Sequence, residues 1–429
     1  MAPAAGVLGA CGVGGTGAPS SEGQPATSTG PVTLELAWEI STNEMGLFVT
    51  GEAKRIFEER NPGVTLNITG LGNERPKVLA QAAAGTPPHL LHLSVNFPAF
   101  YVAKNMLAAL DGYISKDKEN RKEEFSPNMW ETFNVKGKQY ALPREAGPTV
   151  LYYNKTLVSG GGASVPGDAW TLAEQYREAA VKLTRPSGGT GPDIIGTETG
   201  NWRNWLWSNG GDILDAGLTK YVMDQPAAVE ALQLYQDFRY KFRCATTPAE
   251  NTQQMPIQRF IAGGLAFFPG LRSAGNTRSF VQPHVGIALH PRGKVGRKFA
   301  MPGNGLALMQ QPTAAQSKAL DAAYKAAAWY VSPELQKMYY KAGIGGVVAR
   351  SSVLKSDEYL TSVLPREWNE FFAKGVVDLM VPPKLTNWPE LDEAVNKELD
   401  AFQQGQETAA AATSRMAPVI NALLKEAAR

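Results

Sequence analysis

The stretch Leu142-Pro-Arg-Glu-Ala-Gly-Pro-Thr-Val-Leu-Tyr-Tyr-Asn-Lys155 constrains the fold more than any other part of the chain. It opens on a proline, sets Arg144 beside Glu145, breaks again at Gly147-Pro148 and then becomes an apolar run ending in Asn154. Pro and Gly punctuate regular structure, so a doubly broken segment with charges between the breaks suits a chain leaving one folded unit for another. An ordinary loop between two helical regions has the same punctuation, and the flanks must decide. At 429 residues the chain exceeds one modest core, since domains run to about 100–200 residues. Two lobes, with a ligand cleft at the crossover, are the expectation.

The first flank reads as α/β. Residues 32–41 place Val32, Leu34, Leu36, Trp38 and Ile40 on one face at period two, which is a strand pattern. A central parallel strand would be more continuously apolar. A helix from Thr42/Asn43 carries Val49, Ala53, Ile56 and Phe57, Asn61-Pro62-Gly63 stops it, and residues 64–68 form the next strand. Strand, helix, strand in this order is a parallel unit with a right-handed crossover. Residues 75–84 as helix, 90–95 as strand and 96–110 as helix repeat the idea. In open α/β sheets ligands collect at the carboxyl ends of strands, which nominates Glu39, Ser41, Ser94 and Asn96. Each of these also fits a capping or turn role.

Beyond Tyr152 the pattern restarts, with Asp168-Ala-Trp170 ahead of a helix at 171–182. Trp202, Trp205 and Trp207 then fall within six residues, each bringing a large ring and an indole N–H that needs a partner. Trp202 and Trp205 share a helical face, the usual sign of core, but Gly210-Gly211 nearby leaves a cleft role open. Further helices are expected at 226–241 and 314–331, strands at 265–268, 285–289 and 306–309, and a flexible return at 341–347. The first strand of that group, 265–268, closes on Pro269-Gly270. Gly303 and Gly305 lack the third glycine of a phosphate-cradling loop. Two helical stripes, Leu391/Val395/Leu399/Phe402 and Met416/Val419/Ile420/Leu423/Leu424, end the chain.

Charge is balanced, 42 basic against 40 acidic residues, so no field points to nucleic acid or an anionic surface. A small neutral ligand fits better. No run of about 18 apolar residues could span a bilayer. Two cysteines exclude a disulfide framework, and His89, His92, His284 and His290 make no metal spacing. Cys244 reads as a small buried apolar residue. Cys11 differs, because Leu8-Gly-Ala-Cys11 resembles a bacterial lipobox and the Gly/Ser/Thr/Pro-rich residues behind it resemble a tether. The ten residues before it are too short for a full signal peptide and carry no Lys or Arg. Residues 1–31 are therefore read as a truncated lipoprotein signal and tether, with Cys11 acylated.

The order of segments after residue 31 resembles the family 1 extracellular solute-binding proteins of ABC importers, the group containing maltose-binding protein. The similarity rests on Phe57-Glu-Glu-Arg-Asn-Pro-Gly63, Leu142-Pro with Leu151-Tyr-Tyr-Asn-Lys155, Ser208-Asn-Gly-Gly-Asp212, Gly264-Leu-Ala-Phe-Phe268 and Trp329-Tyr-Val-Ser-Pro-Glu334. It implies a periplasmic-binding-protein-like fold, with one lobe of residues 32–144 plus 284–340 and another of 145–283 plus 341–429. The hinge then includes a return crossing near residues 282–285. It further implies a sugar or oligosaccharide in the cleft, delivery to a membrane permease, no cofactor, no chemistry, a monomer, and a location outside the cytoplasmic membrane. Near the ligand it puts Trp38, Glu39, Ser41, Ser94, Asn96, Arg144, Glu145, Trp202, Trp205, Trp207, Gly270, Asn304, Gly343 and Gly345. Two departures stand out. His89 replaces a frequent acid, and Leu271-Arg272 replaces an aromatic, offering Arg272 as a charged donor instead of a stacking platform.

A secreted carbohydrate-active hydrolase is the competing class, and it needs two carboxylates flanking a bond. Glu39 and Glu145 qualify by position, yet Arg144 beside Glu145 favours the ionised form over a general acid. Arg144 and Arg272 also keep open a receptor for a phosphorylated polyol or glycerophosphodiester.

Overall fold

A computed structural model of the chain describes residues 31–38, 44–70, 74–185, 193–276, 280–362 and 364–427. Its two main sheets are built from β1 (Val32–Trp38), β2 (Val64–Gly70), β3 (Leu90–Ser94), β4 (Ala141–Ala146), β5 (Val150–Asn154), β6 (Ile195–Thr197), β7 (Leu265–Gly270), β8 (Val285–Leu289) and β9 (Gly303–Leu308). The first sheet runs β2-β1-β3-β9-β4 and the second β8-β5-β7-β6. The helices that matter for the site are α1 (Trp202–Ser208), α2 (Pro226–Tyr240), α3 (Leu320–Tyr330), α4 (Pro333–Lys341), α5 (Arg366–Gly375), α6 (Trp388–Glu398) and α7 (Ala409–Ala427).

Strand β1 pairs in parallel with both β2 and β3, so it is central despite its alternating sequence. The reason lies in its first half. Thr33 is exposed and Glu35 only half-buried, whereas Leu36, Ala37 and Trp38 are buried in succession. Glu35 is held from both sides: its N–H donates to His89 Nδ1 at 3.0 Å and its Oε2 accepts from Asn67 Nδ2 at 2.7 Å. His89 therefore joins β1 to the start of β3 inside the sheet.

Strand β5 is buried along its whole length, and the second sheet is covered on both faces. On one face Trp170, Tyr176, Trp205 and Phe238 pack with Leu391 of α6 and Met416 and Ile420 of α7. On the other, Tyr152 meets Phe280 at 4.6 Å and Trp368 of α5 at 5.6 Å between ring centroids. The expected helix at 96–110 is helical only over Pro98–Ala103, and that at 314–331 is split into Ala314–Ser317 and α3.

The return crossing differs from the sequence expectation near 282–285. Strand β8 pairs antiparallel with β5, Val285 opposite Asn154 and Leu289 opposite Val150, and so belongs to the second sheet. Gly286 permits that approach, since a Cβ there would lie 2.2 Å from the Tyr153 ring. The following residues stay with the second lobe: Leu172 N donates to Arg292 O at 2.9 Å, and Val295 N to Ser208 O at 3.0 Å. Only at β9 does the chain rejoin the first sheet, antiparallel to both β3 and β4. A boundary at 341 also fails locally, because Ala146 N donates to Val347 O and Ala349 N to Arg144 O, each at 2.9 Å, laying residues 347–349 on β4.

The crossing holds a buried histidine. His290 is 2% exposed, its Nδ1 lies 3.1 Å from Pro291 O, and its ring meets Phe299 edge-on at 5.9 Å. Burial pushes its pKa down to about 4. The unfolded chain takes up this proton near pH 6.5, so the stability His290 contributes is complete above that pH and is lost as pH falls towards 4, by about 3 kcal/mol at most. Urea unfolding at pH 7 and pH 4.5 checks this: His290→Gln should show a smaller acid loss than the parent, and equal losses would contradict it.

Candidate functional site

A polar floor of the first lobe forms where β4 leaves the first sheet. Arg144 is 2% exposed, with its guanidinium 5.0 Å from the Trp38 ring and 5.6 Å from that of Tyr339 of α4. Its Nη1 donates to Glu145 Oε1 at 2.5 Å. Burial works against the charged guanidinium, but Glu145 and Tyr339 outweigh it and raise the pKa above its ordinary value. Glu145 keeps a quarter of its side-chain surface and also accepts from Asn304 Nδ2 of β9 at 3.3 Å. Beneath them Trp38 stacks on His92 at 4.4 Å. Burial, then the Arg144 charge, keeps the His92 pKa well below the usual range, so this layer holds a neutral imidazole. Arg144 thus holds the Glu145 carboxylate in place while leaving part of its surface open.

A cleft of about 400 Å³ lies beside this floor. Asn201 caps α1, its Oδ1 accepting from Arg203 N at 3.0 Å, so the helix begins at Trp202. That start turns Arg203, Asn204 and Trp207 to the cleft wall. Asn204 joins α1 to both crossings: its Nδ2 donates to Thr149 Oγ1 at 3.2 Å and its Oδ1 accepts from Ala300 N at 2.9 Å. Arg203 lies over the Trp202 ring at 4.3 Å and pairs with Asp392 of α6. Burial lowers the Arg203 pKa, and Asp392 opposes that shift. Trp207 Nε1 donates to Asp212 Oδ1 at 2.9 Å, while burial raises the Asp212 pKa. Trp388, at the start of α6, is 2% exposed, and its Nε1 has no hydrogen-bond partner among the described residues.

The residues nominated from sequence divide into groups. Asn96, Trp207 and Gly270 line the cleft, and Trp202 supports Arg203 beneath its wall. Trp38, Arg144, Glu145 and Asn304 gather instead in the polar layer of the first sheet and do not line this cleft, Asn304 standing opposite both Ser94 and Glu145. Trp205 is core instead: 1% exposed, its Nε1 donates to Thr199 O at 2.7 Å and its ring meets Phe238 edge-on at 4.9 Å. Arg272 is not a ligand donor in this arrangement. It is 1% exposed and donates to Asn369 Oδ1 at 3.0 Å, Gly345 O at 2.6 Å and Ser362 Oγ at 2.7 Å, between the Tyr340 and Tyr359 rings. Gly343 and Gly345 have positive φ, 76° and 111°, which shapes the return loop so that Gly345 O reaches Arg272. Glu39, Ser41 and Cys11 lie outside the described residues.

Sequence reasoning missed Arg203, Asn204, Trp388 and Asp392. Arg203 and Asn204 sat inside the tryptophan run that drew attention only for its rings. Trp388-Pro389 is a helix-start signal, but nothing local ties it to a segment almost two hundred residues earlier. No group among the described residues could hold a metal ion, and none of their helices is long and apolar enough to cross a membrane.

Two lobes around such a cleft define the periplasmic-binding-protein-like class. The chain belongs to the bacterial extracellular solute-binding proteins, whose sequence model matches residues 52–364. A binding protein of Brucella abortus (strain 2308) is 30% identical over 194 residues, 43% of this chain and 44% of that protein. The mannitol-binding protein of Pseudomonas aeruginosa is 28% identical over 172 residues, 38% of this chain and 37% of the relative. The chain thus aligns with less than half the length of these curated relatives. An ABC substrate-binding protein from Listeria monocytogenes, solved in complex with cycloalternan, superposes with a TM-score of 0.77 over 92% of this chain and 99% of that one at 22% identity.

Arg272 bolts the return loop to the second lobe, and removing it takes a donor from two buried acceptors, Asn369 Oδ1 and Gly345 O, and from the half-buried Ser362 Oγ. Arg272→Met should lower stability by about 3 kcal/mol in urea unfolding. A loss of under about 0.5 kcal/mol, the size of a surface substitution, would contradict that role.

Proposed function

We propose that the chain is an extracytoplasmic receptor that binds a sugar or polyol between its lobes and delivers it to the permease of an ABC importer. The observation that carries this reading is the polar and aromatic wall of the cleft: the paired Arg203 and Asp392 beside the rings of Trp207 and Trp388. A sugar has apolar C–H faces and a rim of hydroxyls, so its receptor needs flat rings and fixed donors and acceptors together. Family membership and the similarity to a mannitol-binding protein and an ABC substrate-binding protein support the same class.

A volume of about 400 Å³ is near the small end of the roughly 300–1,000 Å³ usual for ligand sites. It favours a monosaccharide, disaccharide or linear polyol over a large oligosaccharide. Charge-assisted hydrogen bonds contribute about 1.5–3 kcal/mol each, and a few of them with one buried sugar face reach the roughly −8 kcal/mol of micromolar binding after association costs. Binding alone suffices for this role. Lipid attachment at Cys11 would hold the receptor, as a monomer, at the outer face of the membrane.

Thermal-shift screening of hexitols, hexoses and disaccharides tests the reading. A cognate ligand at 100 times its Kd should stabilise by about 2.7 kcal/mol, and Asp392→Asn, which keeps the shape of a cleft-lining side chain but removes its charge, should weaken binding about tenfold, or about 1.4 kcal/mol. Failure of every sugar and polyol to stabilise the chain, or hydrolysis of labelled oligosaccharides above background, would overturn it.

A further inference from the structure

A second cavity, of about 460 Å³, opens on the second lobe and shares no lining residue with the cleft. Four arginines line it. Arg185 follows the helix Arg177–Leu183, Arg239 lies in the last turn of α2, Arg243 follows in the turn beyond, and Arg259 belongs to the helix Pro256–Ile261. The wall supplies two carboxylates, Asp193 and Glu250, so it carries two positive charges in excess. Glu250 is already committed to a helix cap, accepting from Thr247 N at 2.8 Å and Thr247 Oγ1 at 2.9 Å.

Several other arginines find carboxylates: Arg60 pairs with Glu334, Arg203 with Asp392, Arg292 with Asp168 and Arg415 with Glu398. Among the described residues none of the four here has such an ion pair. Arg239 is the telling one. It is 6% exposed and lies over the Tyr235 ring at 4.5 Å, and its Nη2 donates to Tyr235 OH at 2.8 Å, yet its Nε and Nη1 have no acceptor. Glu198 is near enough to feel the Arg239 charge, but its Oε2 accepts from Gly200 N at 2.7 Å. The C-terminal dipole of α2 favours one cation and leaves the rest uncompensated. A buried guanidinium with empty donors is costly, and a cluster of like charges adds repulsion. A dianionic oxyanion relieves both, because guanidinium groups match its oxygens in bidentate fashion.

We propose that this pocket is a binding site for a phosphate group, independent of the cleft and of the transport reading. Inorganic phosphate or a soluble phosphate ester and an anionic lipid headgroup share that chemistry, and two arms of one experiment separate them. In the first, the full chain is titrated with inorganic phosphate by calorimetry against chloride of matched ionic strength. Saturable binding is expected, at least tenfold weaker in the double variant Arg185→Gln/Arg243→Gln, whose sites are both exposed, and in Arg239→Gln. Binding of the cleft ligand should not change in the double variant. In the second arm, co-sedimentation with vesicles containing phosphatidic acid, whose headgroup is a phosphomonoester, that the double variant loses and inorganic phosphate competes away assigns the headgroup; phosphate binding without co-sedimentation assigns the soluble ligand. Absence of both, or equal affinity in parent and double variant, overturns the proposal.

Discussion

Insertion of β9 between β3 and β4 is the constraint on which the rest of the structure depends. Its partners precede it by more than 150 residues, so the first sheet is complete only after the second lobe has been threaded in between. Contacts at such separation close large loops, and the entropy of closure must be offset by a well-buried strand. Leu306, Ala307 and Leu308 meet that need with no exposed surface. Gly303 and Gly305 allow the close approach, since a Cβ on either would lie under 3 Å from backbone oxygen of β4. The same insertion sets Asn304 against Glu145, so the strand that closes the first lobe also fixes its polar floor.

Contacts across the cleft are of a different kind from those within each lobe. Arg75 reaches Glu390 and Glu393 of α6 at 3.3 and 3.7 Å, and Lys384 pairs with Glu131. These pairs keep a quarter or more of their side-chain surface in water, where such interactions are worth about 0–1 kcal/mol each. A hydrophobic cluster runs continuously from the first sheet to Tyr152 and Phe280 of the second lobe, and these solvated pairs add only weakly to it across the cleft. In the proposed reading a ligand that touched α1 and α6 on one side and Asn96 on the other would shift the relation between the lobes by its differential affinity for the two arrangements. Arg203 and Asp392 tie α1 to α6 within the second lobe, so the ligand meets a preorganised wall.

Much of the architecture was legible because burial leaves a periodic trace. Strands β1, β2, β3 and β7 follow from alternation or short apolar runs bounded by Pro and Gly, and the break at 147–148 does mark the passage between sheets. Sheet membership was less legible. The five residues of β8 are compatible with either sheet, and only Gly286 against Tyr153 decides between them. Side-chain direction was hardest to read. Trp205 and Trp207 are two residues apart in one helix, yet one turns into the core and the other to the cleft. Arg272 follows Pro269-Gly270 as a surface charge would, but Asn369, Ser362 and Gly345, remote in sequence, capture it. Trp388 and Asp392 escaped notice because their role exists only once α6 has docked beside α1.

The central claim is that ligand contacts made by both lobes favour a more closed arrangement. Small-angle X-ray scattering on the purified chain, with and without a saturating sugar or polyol identified by calorimetry, tests it most directly. The account predicts a smaller radius of gyration and a shorter maximum dimension in the bound state. Identical scattering curves with ligand demonstrably bound would contradict it.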